Sequence, residues 1–118
     1  MKRIVFYTTA SGKCPVQEHL DQLPDRVVQR IAWTLRAIRD LERVPASYLK
    51  KLVSTEGIWE IRVDAEGNIF RLLGFFDEAE LMVVTNSFQK KTQRTPLREI
   101  QLAEQRKSDY LRRRRDHG

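Results

Sequence analysis

The sequence predicts an α+β domain in which two N-terminal helices pack on a small, mostly antiparallel four-stranded sheet, in the order β-α-α-β-β-β-α, with a basic C-terminal helix. Three observations carry that prediction. Residues 27–41 repeat apolar side chains at helical spacing. Residues 58–88 hold three apolar runs parted by two short polar turns. Thr95-Pro96 opens a last amphipathic segment that ends in four arginines. At 118 residues, 41% of them hydrophobic, the chain is expected to form one domain, 1–118, with a basic tail at 112–118, and to bury a core without metal or disulfide help.

Each element has its own warrant. Arg3-Ile4-Val5-Phe6-Tyr7-Thr8 is rich in β-formers and suits a first strand, broken by Ser11-Gly12. Pro15 suits a first helical turn, and Val16, Leu20 and Leu23 fall on one face behind it. Pro24-Asp25 restarts a second helix, where Val27, Val28, Ile31, Leu35, Ile38 and Leu41 form a stripe that stops near Val44-Pro45. The two helices read as a hairpin. In 58–64, Trp59, Ile61 and Val63 alternate with Glu60, Arg62 and Asp64, the period of a half-buried strand. Ala65-Glu66-Gly67-Asn68 is a turn, Ile69–Phe76 a strand with one charge, Asp77–Glu80 a second turn, and Leu81–Phe88 the last strand. Thr95 is a candidate N-cap for the final helix, whose stripe is Leu97, Ile100, Ala103, Tyr110 and Leu111. That helix is expected either to dock on the sheet or to swing free of it.

Charge narrows the function. Residues 1–85 hold twelve Lys/Arg and twelve Asp/Glu; residues 86–118 hold ten and four, so the net charge of +6 lies wholly in the last segment. It begins with Gln89-Lys90-Lys91-Thr92-Gln93-Arg94 and ends with Arg112-Arg113-Arg114-Arg115. A neutral body with a basic edge reads as a binder of polyanions, nucleic acid first among them. The single cysteine, Cys14, cannot form an internal disulfide, which points to the cytoplasm. The short apolar run at 4–7 is no signal sequence or membrane span. No metal-ligand spacing, nucleophile motif or glycine-rich phosphate loop is present: His19 and His117 lie far apart, His19 reading as a boundary residue and His117 as frayed tail, and the glycines are isolated.

What remains is cationic chemistry. Arg71 interrupts an apolar strand on the face of Ile69, Leu73 and Phe75, so it must either meet an anion in an open concavity or pair with Glu60 or Asp64 across the hairpin. Arg62 is expected to form a cross-strand ion pair. Lys50-Lys51 precede the three-stranded meander and Lys90-Lys91 follow it; each pair is either a solvated stretch or a phosphate contact. Asn86 and Phe88 share a face of the last strand, where Phe88 either stacks on a base or packs in the core.

Gly57-Ile58-Trp59-Glu60-Ile61-Arg62, Ile69-Phe70-Arg71-Leu72-Leu73-Gly74-Phe75-Phe76, Phe88-Gln89-Lys90-Lys91-Thr92-Gln93-Arg94-Thr95-Pro96 and Glu99-Ile100-Gln101-Leu102-Ala103 together resemble the HigB-like branch of the RelE/ParE toxin superfamily, also described as phage-derived. Each piece is weak alone; four in order over about residues 1–112 are specific. The resemblance implies a RelE-like fold and the toxin of a type II toxin–antitoxin pair. It implies an endoribonuclease that cleaves mRNA on the ribosome without metal or other cofactor, and a cognate helix-turn-helix antitoxin as hetero-oligomeric partner, with no membrane. It implies Arg71 as the clamp on the scissile phosphate, Lys50 or Lys51 as base or second clamp, and Lys90 and Lys91 as phosphate contacts. Arg62, Asn86, Phe88, Arg94 and Arg112–Arg115 (Arg112, Arg113, Arg114, Arg115) are then RNA or ribosome contacts. Relatives often carry His or Tyr near the end of the last strand; Asn86-Ser87-Phe88 stands there in this chain, and Asn86 cannot move a proton. Inhibition of DNA gyrase, as in the ParE-like branch, and non-catalytic nucleic-acid binding are the rival readings.

Overall fold

The computed structural model describes residues 2–117. Its elements are β1 (Arg3–Phe6), α1 (Pro15–Leu20), α2 (Asp25–Asp40), β2 (Leu49–Lys51), β3 (Trp59–Ala65), β4 (Asn68–Asp77), β5 (Leu81–Gln89) and α3 (Leu97–His117). The fold is α+β, but the sheet is mixed and has five strands, not four, in the order β1-β5-β4-β3-β2. β1 runs parallel to β5 and every other pairing is antiparallel. The added strand is β2. Its three residues are too few to show a period, and two are lysines; pairing of Leu49, Lys50 and Lys51 with Ile61, Glu60 and Trp59 makes it a strand. α1 is also shorter than the apolar spacing suggests. It ends at Leu20, and Leu23 reaches the same core from the following turn.

Two cores lie on opposite faces. α1 and α2 cover one face, where Val16, Leu20, Val27, Ile31 and Ile38 meet Ile61, Val63, Leu72, Met82 and Val84. α3 docks on the other, placing Ala103, Ile100, Tyr110 and Leu111 against Tyr7, Ile58, Leu73, Phe75 and Val83. The Tyr110 hydroxyl donates to Asp77 Oδ2 at 2.9 Å and the Tyr7 hydroxyl to Asp109 Oδ2 at 2.6 Å, so two adjacent residues of α3 tie the helix to the end of β4 and to the segment after β1. Glu66 and Gly67, with φ of 51° and 76°, form the tight β3–β4 turn; positive φ at both central residues suits the twist of a two-residue hairpin.

A β-bulge fixes what the α3 face displays. Leu73 pairs with Asn86 but Gly74 with Val84, leaving Thr85 as the extra residue on β5. Before the bulge Val83 points to α3; after it, Asn86 and Phe88 do, opposite Leu73 and Arg71. Gly74 is required there, since a Cβ would stand 2.4 Å from the Val83 carbonyl oxygen. α3 covers only part of this face. At the N-terminal end of β4 the face carries charged side chains, and the candidate site lies there.

Candidate active site

β3 and β4 supply the centre. Arg62 lies directly across from Arg71, and Glu60 sits on the diagonal. Arg71 is only 5% exposed and Glu60 only 2%. Arg71 Nη1 donates to Glu60 Oε1, and the Thr95 hydroxyl donates to Glu60 Oε2. Of the two fates open to Arg71, the ion pair with Glu60 is therefore made, and the guanidinium is buried at the base of the site, not standing at a rim. Burial draws its pKa down from the ordinary value, yet an arginine beside a carboxylate stays a cation. Its Nε is buried without a hydrogen-bond partner. Thr95, read from sequence as a helix cap, spends its hydroxyl on Glu60 and ties the loop before α3 to the centre of the sheet.

Further cations surround this pair. A cavity of about 70 Å³ is lined by Ala46, Ser47, Lys50, Glu60, Arg62 and Arg71. Lys90 follows β5, its backbone N–H donating to the Ile69 carbonyl at 2.7 Å. Partial burial lowers its ammonium pKa, and the charges of Arg71, Arg62 and Lys50 lower it further, against a small opposing effect of Asp64. Cations from β2, β3 and β4 thus all act on Lys90 at the β5 exit. Beside it an open depression of about 350 Å³ is lined by Ile69, Lys90, Lys91, Thr92 and Gln93. Among the described residues Arg62 makes no cross-strand ion pair, because Arg71 faces it; it pairs instead along its own strand with Asp64 at 3.4 Å.

The other sequence candidates add no cation to this cluster, although Phe88 lies directly across from Arg71 on β5. Lys51 shares the α2 side of β2 with Leu49, opposite to Lys50. Arg94 is exposed in the loop, its carbonyl accepting from Thr92 at 2.8 Å. Phe88 is half-buried against the α3-side core. Asn86 is 4% exposed; its amide donates to Glu99 Oε1 at 2.9 Å and the Glu99 carbonyl at 3.3 Å, holding α3 to the bulge. Arg112–Arg115 are not a frayed tail but the last turns of α3. Arg112 and Arg113 pair with Asp109 at 2.6 and 2.9 Å, and Arg114 with Asp77 at 2.7 Å. Asp77 is six residues from Arg71 on β4, roughly 20 Å away at about 3.3 Å per residue. His117 closes the same helix.

Sequence reasoning assigned no role to Ser47 or to the contact between His19 and β5. His19 Nδ1 lies 2.7 Å from Ser87 Oγ. Burial lowers its pKa, partly offset by the charge of Glu99. No spacing in the sequence links residues 68 positions apart. Among the described residues no three His, Cys, Asp or Glu side chains stand where they could share a metal ion, and no helix is long and apolar enough to cross a membrane.

The sequence matches the family described as phage derived protein Gp49-like (DUF891) over residues 18–108, well over half of the chain. The chain belongs to this Gp49-like family. The family is toxin-like, phage-derived and associated with RelE-type proteins, which in general implies an antitoxin partner. The matched span holds the whole cation cluster, from Lys50 to Lys90, and stops before Arg112–Arg115. No curated protein matches the chain.

Proposed function

We propose that this Gp49-like protein is the toxin of a type II toxin–antitoxin pair, of the HigB-like kind, and that it cleaves mRNA on the ribosome. The observation that carries the reading is the group of Lys50, Arg62 and Arg71 around a small cavity, with Lys90 within reach of their charges, and with Arg71 held by Glu60, which Thr95 holds in turn. Cleavage by attack of a ribose 2′-OH on its own 3′-phosphate needs the 2′-OH proton removed. It also needs the crowded phosphoryl oxygens neutralised and the 5′-oxygen protonated as its P–O bond breaks. Arg71 and Arg62 would hold the phosphoryl oxygens. Lys90, whose proton is held less firmly than an ordinary lysine's, would accept the 2′-OH proton. Lys50, on the far side of the cavity, would donate to the leaving oxygen. The products are a 2′,3′-cyclic phosphate and a 5′-hydroxyl end, with no water or metal consumed. A helix-turn-helix antitoxin would neutralise the protein in the cytoplasm by covering the patch.

The test is induced expression followed by mapping of RNA ends. Translation should stop, with mRNA fragments bearing 5′-hydroxyls, and Lys50→Ala with Lys90→Ala should abolish them while the protein stays folded. Growth arrest with intact mRNA and blocked gyrase supercoiling would replace this reading with the ParE-like one.

A further inference from the structure

The outer flank of α2 carries a group of side chains for which neither the core nor the cation cluster accounts. Trp33 is 44% exposed, although an indole is among the costliest side chains to leave in water. The Arg30 guanidinium lies over its ring, 4.4 Å from the centroid. Tyr48, in the turn that enters β2, meets it edge-on at 6.5 Å. Arg26, Arg30 and Trp33 fall at i, i+4 and i+7, so they share one line along the helix. Arg26 has an 85% exposed side chain, with Glu66 at 3.9 Å. The flank borders the edge of the sheet. Lys51 lies on its side of β2, and Lys50, one residue earlier, faces the cavity on the other.

We propose that this flank is a second contact for single-stranded nucleic acid, in which Trp33 stacks on an unpaired base and Arg26, Arg30 and Lys51 hold the flanking phosphates. The pattern matches the chemistry of such a strand: an exposed aromatic face for a base, with cations on either side at the spacing of a helix line. A duplex would offer no free base to the indole, so the ligand is an unpaired stretch. A strand rounding the three-residue edge of β2 would pass from Trp33 to Lys50 directly, which makes the flank continuous with the cleavage site. The choice of RNA as ligand rests on the proposed function; the contact itself does not require cleavage.

The test uses a fluorescein-labelled 2′-O-methyl oligouridine, which cannot be cleaved, with binding read by anisotropy. Trp33→Ala should weaken binding roughly 5- to 100-fold, the range expected for loss of one base–aromatic stack, with the melting temperature unchanged. Trp33→Phe should restore most of the affinity. Quenching of tryptophan emission by the oligomer should vanish in Trp33→Phe, because Trp59 is packed against Phe76. Wild-type affinity in Trp33→Ala overturns the proposal. If Lys90→Ala with Lys91→Ala then still weakens binding, the reading of the site stands and only the flank is lost. If Trp33→Ala binds oligouridine normally but no longer co-purifies with its antitoxin, the flank is a protein interface and the proposal is equally overturned.

Discussion

Arg71 cannot be removed without consequence for Glu60. Both are almost wholly buried, and truncating one leaves the other as an uncompensated charge. Arg71→Ala should therefore lose about 3–5 kcal/mol of stability in urea unfolding, and Arg71→Ala with Glu60→Gln should lose clearly less. An equal loss in both would mean that packing, not charge, governs the site. A clean test of the chemistry accordingly uses Lys50 and Lys90, which leave no buried acid behind. For Lys90 the pH profile is informative. Burial and the neighbouring cations set its pKa below the ordinary 10.5, so the neutral amine becomes available at lower pH. Single-turnover cleavage should rise with pH and level off below that value, and Lys90→Arg should remove the rising limb. A limb that persists in Lys90→Arg would exclude Lys90 as the base. Arg71 also shows how much a single residue reveals in sequence. A charge inside an apolar strand announces that it is paired or functional, but the choice between Glu60 and Asp64 needs the register of β3 on β4.

Among the elements, β5 does most to determine the site. Its bulge at Thr85 shifts the phase of the strand so that Asn86, Phe88 and, two residues on, Lys90 follow the face of Arg71. Gly74→Ala would force its Cβ against the Val83 carbonyl, and because the obstacle is backbone the cost should be about 1–3 kcal/mol, read as a lower melting temperature. The basic tail expected from residue 112 onward is helical as far as His117. Asp109 stands at helical pairing distance from Arg112 and Arg113 in the sequence, whereas Asp77 and Glu78, the partners of Arg114, are legible only once α3 lies on β4. Arg113→Gln with Arg114→Gln should thus speed amide exchange in the last turns of α3, while lowering RNA affinity less than Lys90→Ala with Lys91→Ala does. The α1–β5 joint has its own pH signature. The folded pKa of His19 lies below 6.5, so the unfolded chain takes up this proton first, and the stability present above pH 6.5 is lost as pH falls towards the folded value. In His19→Gln the drop in melting temperature between pH 7.5 and 5.5 should be smaller.

At the scale of the molecule, counting charge along the chain located the positive surface only in part. The cluster draws Lys50, Arg62 and Arg71 from the segment that is neutral overall, whereas Arg112, Arg113 and Arg114 of the C-terminal segment pair with Asp109 on α3 itself and with Asp77 and Glu78 at the far end of β4. The helices and the three strands of the meander were readable because hydrophobic period reports burial directly. The short β2, the parallel β1–β5 pairing and the bulge were not, because they depend on backbone hydrogen bonds between distant segments, which no local pattern encodes. Salt titration reads the patch as a whole. Lys90→Ala with Lys91→Ala should reduce the slope of log affinity against log salt by roughly 1.4, at about 0.7 per lost phosphate contact on a single strand, and an unchanged slope would place both lysines outside the RNA path. The strand order has one more consequence, which concerns synthesis. β5 lies between β1 and β4, so the first strand made has no neighbour until the last one leaves the ribosome, nearly eighty residues later. A chain interrupted between residues 41 and 80 has made both N-terminal helices but holds an incomplete sheet, with β1 still lacking its neighbour β5. The strand that completes the sheet leads directly into Lys90, so the sheet and the cation cluster are completed together.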